Sequence, residues 1–128
     1  MLFRSTHDND HLYISDVTNI IYMVEPETLN IIGRIDVHTA DSKVDNINEL
    51  EYVDGYIYAN KWTTEYILKI NAKTGLLEGY YKLNGLLKES DYTPERTDVL
   101  NGIAYNKQNK SFFITGKRWP KMFEMMLK

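Results

Sequence analysis

An all-β protein assembled from repeated four-stranded units, a partial β-propeller, is what this sequence predicts, and three observations predict it. Aromatic residues are abundant, with ten Tyr, four Phe and two Trp among 128 residues, set beside many Ile, Leu and Val. Such side chains fit a pleated, half-buried surface. Short apolar runs alternate with turn signals from one end of the chain to the other. The order of runs and turns then returns at a nearly fixed period, which is how propeller blades read in a sequence.

The first copy contains Leu12-Tyr13-Ile14, Ile20 to Val24 and Ile31 to Val37 as strands. Glu25-Pro26-Glu27-Thr28 is the turn between the last two, because Pro presets a turn dihedral and cannot donate in a central ladder. The second copy has Tyr56 to Ala59, Tyr66 to Ile70 and Leu76 to Leu83, with Asn71-Ala72-Lys73-Thr74-Gly75 as its turn. Thr28 and Thr74 fall in equivalent places, 46 residues apart. Gly102 to Tyr105, Phe112-Phe113-Ile114 and Met122 to Leu127 make the third. Each copy opens with one further strand, such as Leu50 to Val53. A sandwich would space its turns similarly but would not repeat one turn chemistry at a fixed period. The blade-like units run over about 1–40, 46–84 and 98–127, and the third lacks a fourth strand. The chain thus holds about two and three-quarter blades, fewer than the four of a small propeller. Leu86 to Asp91 reads as a helical turn within a polar connection.

Composition narrows the function classes. The net charge is −3 with no basic stripe, which argues against a nucleic-acid partner. There is no cysteine, hence neither a disulfide nor a thiolate metal site. No run approaches the roughly 20 apolar residues that span a bilayer, so no membrane partner is expected. Met1 to Ser5 has neither the charged nor the apolar region of a signal peptide, and the compartment is left unassigned. His7, His11 and His38 show no metal-ligand spacing and read as surface or strand-end residues.

The repeat also nominates a site, since equivalent positions of successive blades surround one axis. Asn48 precedes Tyr52 by four residues and Asn101 precedes Tyr105 by four, with Phe3 four before His7 in the first copy. One strand later stand Trp62 and Lys117, matched by Val17 or Asp16. An amide pair, an indole and an ammonium at one mouth would bind a small polar molecule with an apolar stem. The plainer readings are that Asn48 and Asn101 cap turns, that Trp62 is a core aromatic, that Lys117 is a solvated charge and that Trp119-Pro120 marks a packed corner. Glu49 and Glu51 share one side of their strand and Leu50 the other.

Asn48-Glu49-Leu50-Glu51-Tyr52, the run Ile57-Tyr58-Ala59-Asn60 with Trp62, the stretch Asp98 to Tyr105, and Thr115-Gly116-Lys117 with Trp119-Pro120 and Phe123-Glu124 closely resemble the propeller-type glutaminyl-peptide cyclotransferases. The resemblance covers most of the chain in the right order. It implies a five-bladed propeller of roughly twice this length, of which this sequence corresponds to the C-terminal half. It implies conversion of an N-terminal Gln of a peptide, or free Gln, into pyroglutamate with release of ammonia. It places Asn48 and Lys117 among catalytic residues, and Trp62 and Asn101 among substrate-binding ones. No cofactor is implied, and a structural metal in the channel is left open. The family is often secreted or periplasmic.

The sequence departs from that pattern in two places. The family's acidic segment of F-G-E-G type, with its general acid–base Glu, has no counterpart in residues 1–128. Its W-G-L-T-H-D entry appears as Phe3-Arg4-Ser5-Thr6-His7-Asp8. The expectation is therefore a truncated or split cyclotransferase with impaired activity, paired with an N-terminal half or self-associating through open blade edges. The alternatives are a non-catalytic, propeller-derived binding module and an inactive gene fragment.

Overall fold

The computed structural model describes residues 3–128, and among them eleven strands form three antiparallel sheets. The first contains β1 (Arg4–His7), β2 (Leu12–Ser15), β3 (Ile20–Val24) and β4 (Ile31–Asp36), in that order. The second contains β5 (Ile47–Val53), β6 (Tyr56–Lys61), β7 (Tyr66–Asn71) and β8 (Leu77–Lys82). The third has β9 (Leu100–Asn106), β10 (Ser111–Gly116) and β11 (Phe123–Met125). Each sheet is a meander in sequence order, and the first strands lie side by side, β1 against β5 and β5 against β9. Three meanders that share an innermost-strand axis are blades of a propeller. The helical turn expected over Leu86 to Asp91 is shorter, a single 3-10 turn at Glu89–Asp91.

The repeated turn keeps the same pattern of hydrogen bonds, with a Glu carboxylate in one copy and an Asn amide in the other. In the first sheet Glu25 Oε2 accepts the N–H groups of Glu27 (2.9 Å) and Thr28 (2.8 Å), and Thr28 Oγ1 accepts that of Asn30. In the second, Asn71 Oδ1 accepts those of Lys73 (2.9 Å) and Thr74 (3.1 Å), and Thr74 Oγ1 that of Leu76. Leu29 and Gly75 both take the left-handed conformation that closes the turn, at φ 60° and 79°. Leu29 tolerates it with solvent around its side chain, whereas a Cβ on Gly75 would strike the Asp36 carbonyl of the neighbouring sheet. The chain that crosses between the sheets is tied at the same point, through His38 N–H to Gly75 O (3.0 Å) and Leu77 N–H to His38 O (2.8 Å).

The core sits between the sheets. Tyr13, Ile21 and Ile35 from the first meet Ile47, Leu50, Ile57, Ala59, Leu68 and Ile70 from the second. A separate cluster of Tyr58, Ile67, Leu100, Phe112 and Ile114 joins the second sheet to the third. The middle sheet is therefore buried on both faces. This is why β6 shows four consecutive buried residues, Ile57 to Asn60, although adjacent side chains point to opposite faces. Burial pushes the Tyr58 hydroxyl up to about 12, with neighbouring Tyr81 and Tyr105 adding to the shift.

Candidate functional site

The innermost strands of the second and third sheets share an irregularity. Ile47 pairs with Lys61 and Leu50 with Ala59, so three steps along β5 oppose two along β6. Leu100 pairs with Gly116 and Ile103 with Ile114, the same mismatch on β9 against β10. Each is a β-bulge, a device that bends a strand and re-aims a side chain. Asn48 lies in the first bulge and Asn101 in the second. Gly102, at φ 155°, serves the second bulge, and a Cβ there would lie 2.8 Å from Thr115 Cγ2.

The bulges bring the two asparagines together. Asn48 Nδ2 donates to Asn101 Oδ1 at 2.9 Å, between residues far apart in sequence but equivalent in the repeat. Asn48 is buried, 3% exposed, while Asn101 is only partly covered. An amide has two N–H donors and an oxygen with two lone pairs. The bond leaves both donors of Asn101 and one of Asn48 uncommitted to each other. Turn capping does not describe either residue.

Trp62 and Lys117 stand at the same end of their sheets as this amide pair. Trp62 N–H bonds Asn46 O at 2.8 Å, and Lys117 N–H bonds Val99 O at 2.9 Å, each two residues before its asparagine. Both precede a left-handed residue, Thr63 at φ 66° and Arg118 at φ 59°. Val17 is the left-handed residue of the first sheet, so Asp16 is the counterpart of Trp62 and Lys117. Trp62 is 41% exposed and belongs to neither core cluster. Lys117 Nζ lies 3.8 Å from Asp98 Oδ2 in a half-exposed ion pair. Phe3, at the position matching Asn48, is exposed.

The motif around Lys117 is locked by residues that sequence reasoning left without a role. Asp98 N–H bonds Lys117 O at 3.0 Å, and the Trp119 indole Nε1 donates to Asp98 O at 2.7 Å. The indole lies on Gly116, where a Cβ would overlap the ring. Gly116 and Trp119 are thus one unit, and the Thr-Gly-Lys-x-Trp spacing is the signal that marked it.

The carboxylates Glu49 and Glu51 are both engaged. Arg4 Nε pairs with Glu49 Oε1 across the first joint. Burial raises the Glu51 carboxyl above the ordinary range, partly offset as it accepts the Tyr105 N–H and the Thr6 hydroxyl (3.5 Å). Glu51 lies toward the other end of the strand, in the wall of a cavity of about 790 Å³ with His7, Asp8, Tyr105 and Lys107. None of Asn48, Trp62, Asn101 or Lys117 lines that cavity. Among the described residues no cluster of His, Asp or Glu is arranged to hold a metal ion. His7 Nδ1 meets the Asp8 carbonyl at 2.9 Å and His38 Nδ1 meets that of Thr39 at 2.8 Å. Among the described residues no helix is long and apolar enough to cross a membrane.

Sheets arranged as blades, with matched bulges carrying an amide pair at one end, define a piece of a β-propeller. A family model described as glutamine cyclotransferase matches residues 5–127, and the chain belongs to that family. It is 36% identical over 125 residues to the glutaminyl-peptide cyclotransferase of Arabidopsis thaliana, covering 94% of this chain and 38% of that protein. It superimposes on the crystal structure of Myxococcus xanthus glutaminyl cyclase with a TM-score of 0.88 and 32% identity, covering 98% of this chain and 55% of that one. A computationally designed protein, Ika8, shares the fold alone, with a TM-score of 0.55 and 6% identity over 96% of this chain and 32% of its own. The chain spans about 38% of the length of the plant relative and about 55% of the bacterial one.

Proposed function

We propose that this chain supplies the amide-binding part of a glutaminyl-peptide cyclotransferase site, acting on peptides with an N-terminal Gln or on free Gln. The observation that carries the reading is the Asn48–Asn101 pair, held in matched bulges at the end where Trp62 and Lys117 stand. In the reaction the α-amine attacks the side-chain amide carbon, closing a five-membered lactam, and the former amide nitrogen leaves as ammonia. The amine must be neutral, the carbonyl oxygen polarised and the leaving nitrogen protonated. The free donors of the asparagine pair suit the substrate carbonyl or fix the amine. Trp62 is suited to pack on the substrate methylenes. The Lys117 ammonium, only loosely held by Asp98, stands ready to offset developing oxyanion charge.

Holding the two reacting groups together supplies much of the acceleration, because the step is intramolecular. Proton transfer supplies a further 10²–10⁴-fold or so in typical enzymes. Residues 1–128 contain no counterpart of the family's acidic segment, and Glu49 and Glu51 are engaged elsewhere. On this reading the isolated polypeptide binds a Gln-initiated peptide but turns it over slowly, and a complementing N-terminal half restores activity. The test is ammonia release from a Gln-initiated peptide, with and without an N-terminal half from a relative. Turnover by residues 1–128 alone matching a full-length relative would overturn the impaired-activity reading. Absence of both binding and complementation would overturn the assignment of the site.

A further inference from the structure

We propose that Ser15 and Asn60 are positioning residues, each reaching from the second strand of one sheet to clamp the bulged peptide that carries an asparagine of the next. The inference rests on reading Asn48 and Asn101 as the substrate amides. Ser15 Oγ donates to Asn48 O at 2.9 Å, and Asn60 Oδ1 accepts from Gly102 N–H at 3.1 Å. Ser15 pairs across to Ile21 and Asn60 to Ile67, and these two isoleucines occupy the same fully buried place in their sheets. The two anchors are therefore equivalent in the repeat. Their targets are equivalent too, because the Asn48–Glu49 and Asn101–Gly102 peptides are the matched links of the two bulges.

The residue types follow from the chemistry of each contact. A serine hydroxyl can donate to the Asn48 carbonyl of the first bulge. The second presents its N–H, which requires an acceptor, and an asparagine oxygen provides one. Ser15 is 1% exposed and Asn60 is fully buried, so neither anchoring side chain is open to water. Asn60 Nδ2 has no hydrogen-bond partner among the described residues, an arrangement that stability alone would not favour. The side chain is explained by what its oxygen holds. With both peptides clamped, the Asn48–Asn101 bond closes between fixed backbones.

The experiment is amide NMR on residues 1–128 without ligand, comparing the unchanged chain with Asn60→Leu, Ser15→Ala and Ser15→Thr. Asn60→Leu is expected to speed hydrogen exchange at Gly102 about fivefold, the factor for one typical hydrogen bond. Asn60→Leu and Ser15→Ala are both expected to move the Asn48 side-chain amide resonances, and Ser15→Thr to return them. A lower melting temperature with unmoved Asn48 resonances would overturn the proposal, leaving both residues as core polar groups. Should Asn60→Leu fail to fold, the Ser15→Ala and Ser15→Thr pair decides by the same readout. Because these spectra contain no substrate, failure of a Gln-initiated peptide to bind the unchanged chain would count against the cyclotransferase site and not against the clamp.

Discussion

Gly116→Ala tests how the Lys117 motif is built. Gly116 does not have positive φ, so alanine is acceptable to its backbone, and in a strand the change by itself should stabilise by about 0.5–1 kcal/mol. The obstacle is the Trp119 ring, which occupies the space the methyl would take. A rigid indole cannot yield locally, so it must swing away. That breaks the 2.7 Å bond to Asp98 O, worth about 1 kcal/mol, and the edge-to-face contact with Phe123, worth about 0.5–1.5 kcal/mol. Some apolar cover over the second core is lost as well. A net destabilisation of about 1–3 kcal/mol follows, with sterics outweighing backbone entropy. A double-mutant cycle measured by urea unfolding isolates the cause. Once Trp119→Ala has removed the ring, Gly116→Ala should become neutral or stabilising by up to about 1 kcal/mol, giving a coupling of about 1–4 kcal/mol. The same cost in both backgrounds would refute the packing argument.

Three other outcomes are expected. Asn48→Ala should weaken binding of a Gln-initiated peptide at least tenfold by calorimetry and destabilise the fold by about 1–3 kcal/mol, because it strips Asn101 Oδ1 of its donor. Glu51→Gln should reduce the pH dependence of stability. The folded carboxyl binds its proton more tightly than the unfolded one, whose reference value is 4.5, so stability falls as pH rises through that window and stays reduced above it. Glutamine keeps the accepting oxygen without the charge, so thermal unfolding should show the variant gaining at pH 7 and matching the parent in acid. Gly75→Ala should cost more than about 2 kcal/mol by urea unfolding, since it combines left-handed strain with a clash against the Asp36 carbonyl. A cost below about 1 kcal/mol would show that the turn can shift away from the neighbouring sheet.

Much of the fold was legible because blades repeat their local chemistry. The turn at Thr28 returns at Thr74 with the same hydrogen bonds, so aligning turns aligned the sheets. Aligning inner strands paired Asn48 with Asn101, and these meet in space. Counting from turns could not choose between Val17 and Asp16, because the loop from Ser15 to Ile20 is one residue shorter than that from Asn60 to Tyr66. The backbone conformation chooses Asp16. The bulges escaped notice even though an isolated glycine in a strand, here Gly102, is their usual signal. Ser15, Asn60 and Asp98 escaped as well, because each acts through a backbone group of another strand, a contact that has no sequence period.

The distribution of buried polar groups separates what holds this molecule together from what it does. The sheets are joined by apolar clusters, built from the apolar runs that marked the strands. Apart from Ser111, which bonds Glu124 within the third sheet, the buried polar groups lie at the joints of the innermost strands, where the same offsets recur. Thr6 Oγ1 accepts the Tyr52 N–H at 3.0 Å, and one joint later Glu51 accepts the Tyr105 N–H. Ser15 and Asn60 take the bulges in the same succession. A blade needs none of these bonds to pack its faces, since Ile, Leu and Tyr already do so. They fix instead how far each innermost strand can slide or twist against the next. That is the one degree of freedom that would part Asn48 from Asn101, so it is at the joints, rather than in the cores, that substitutions should separate loss of binding from loss of fold.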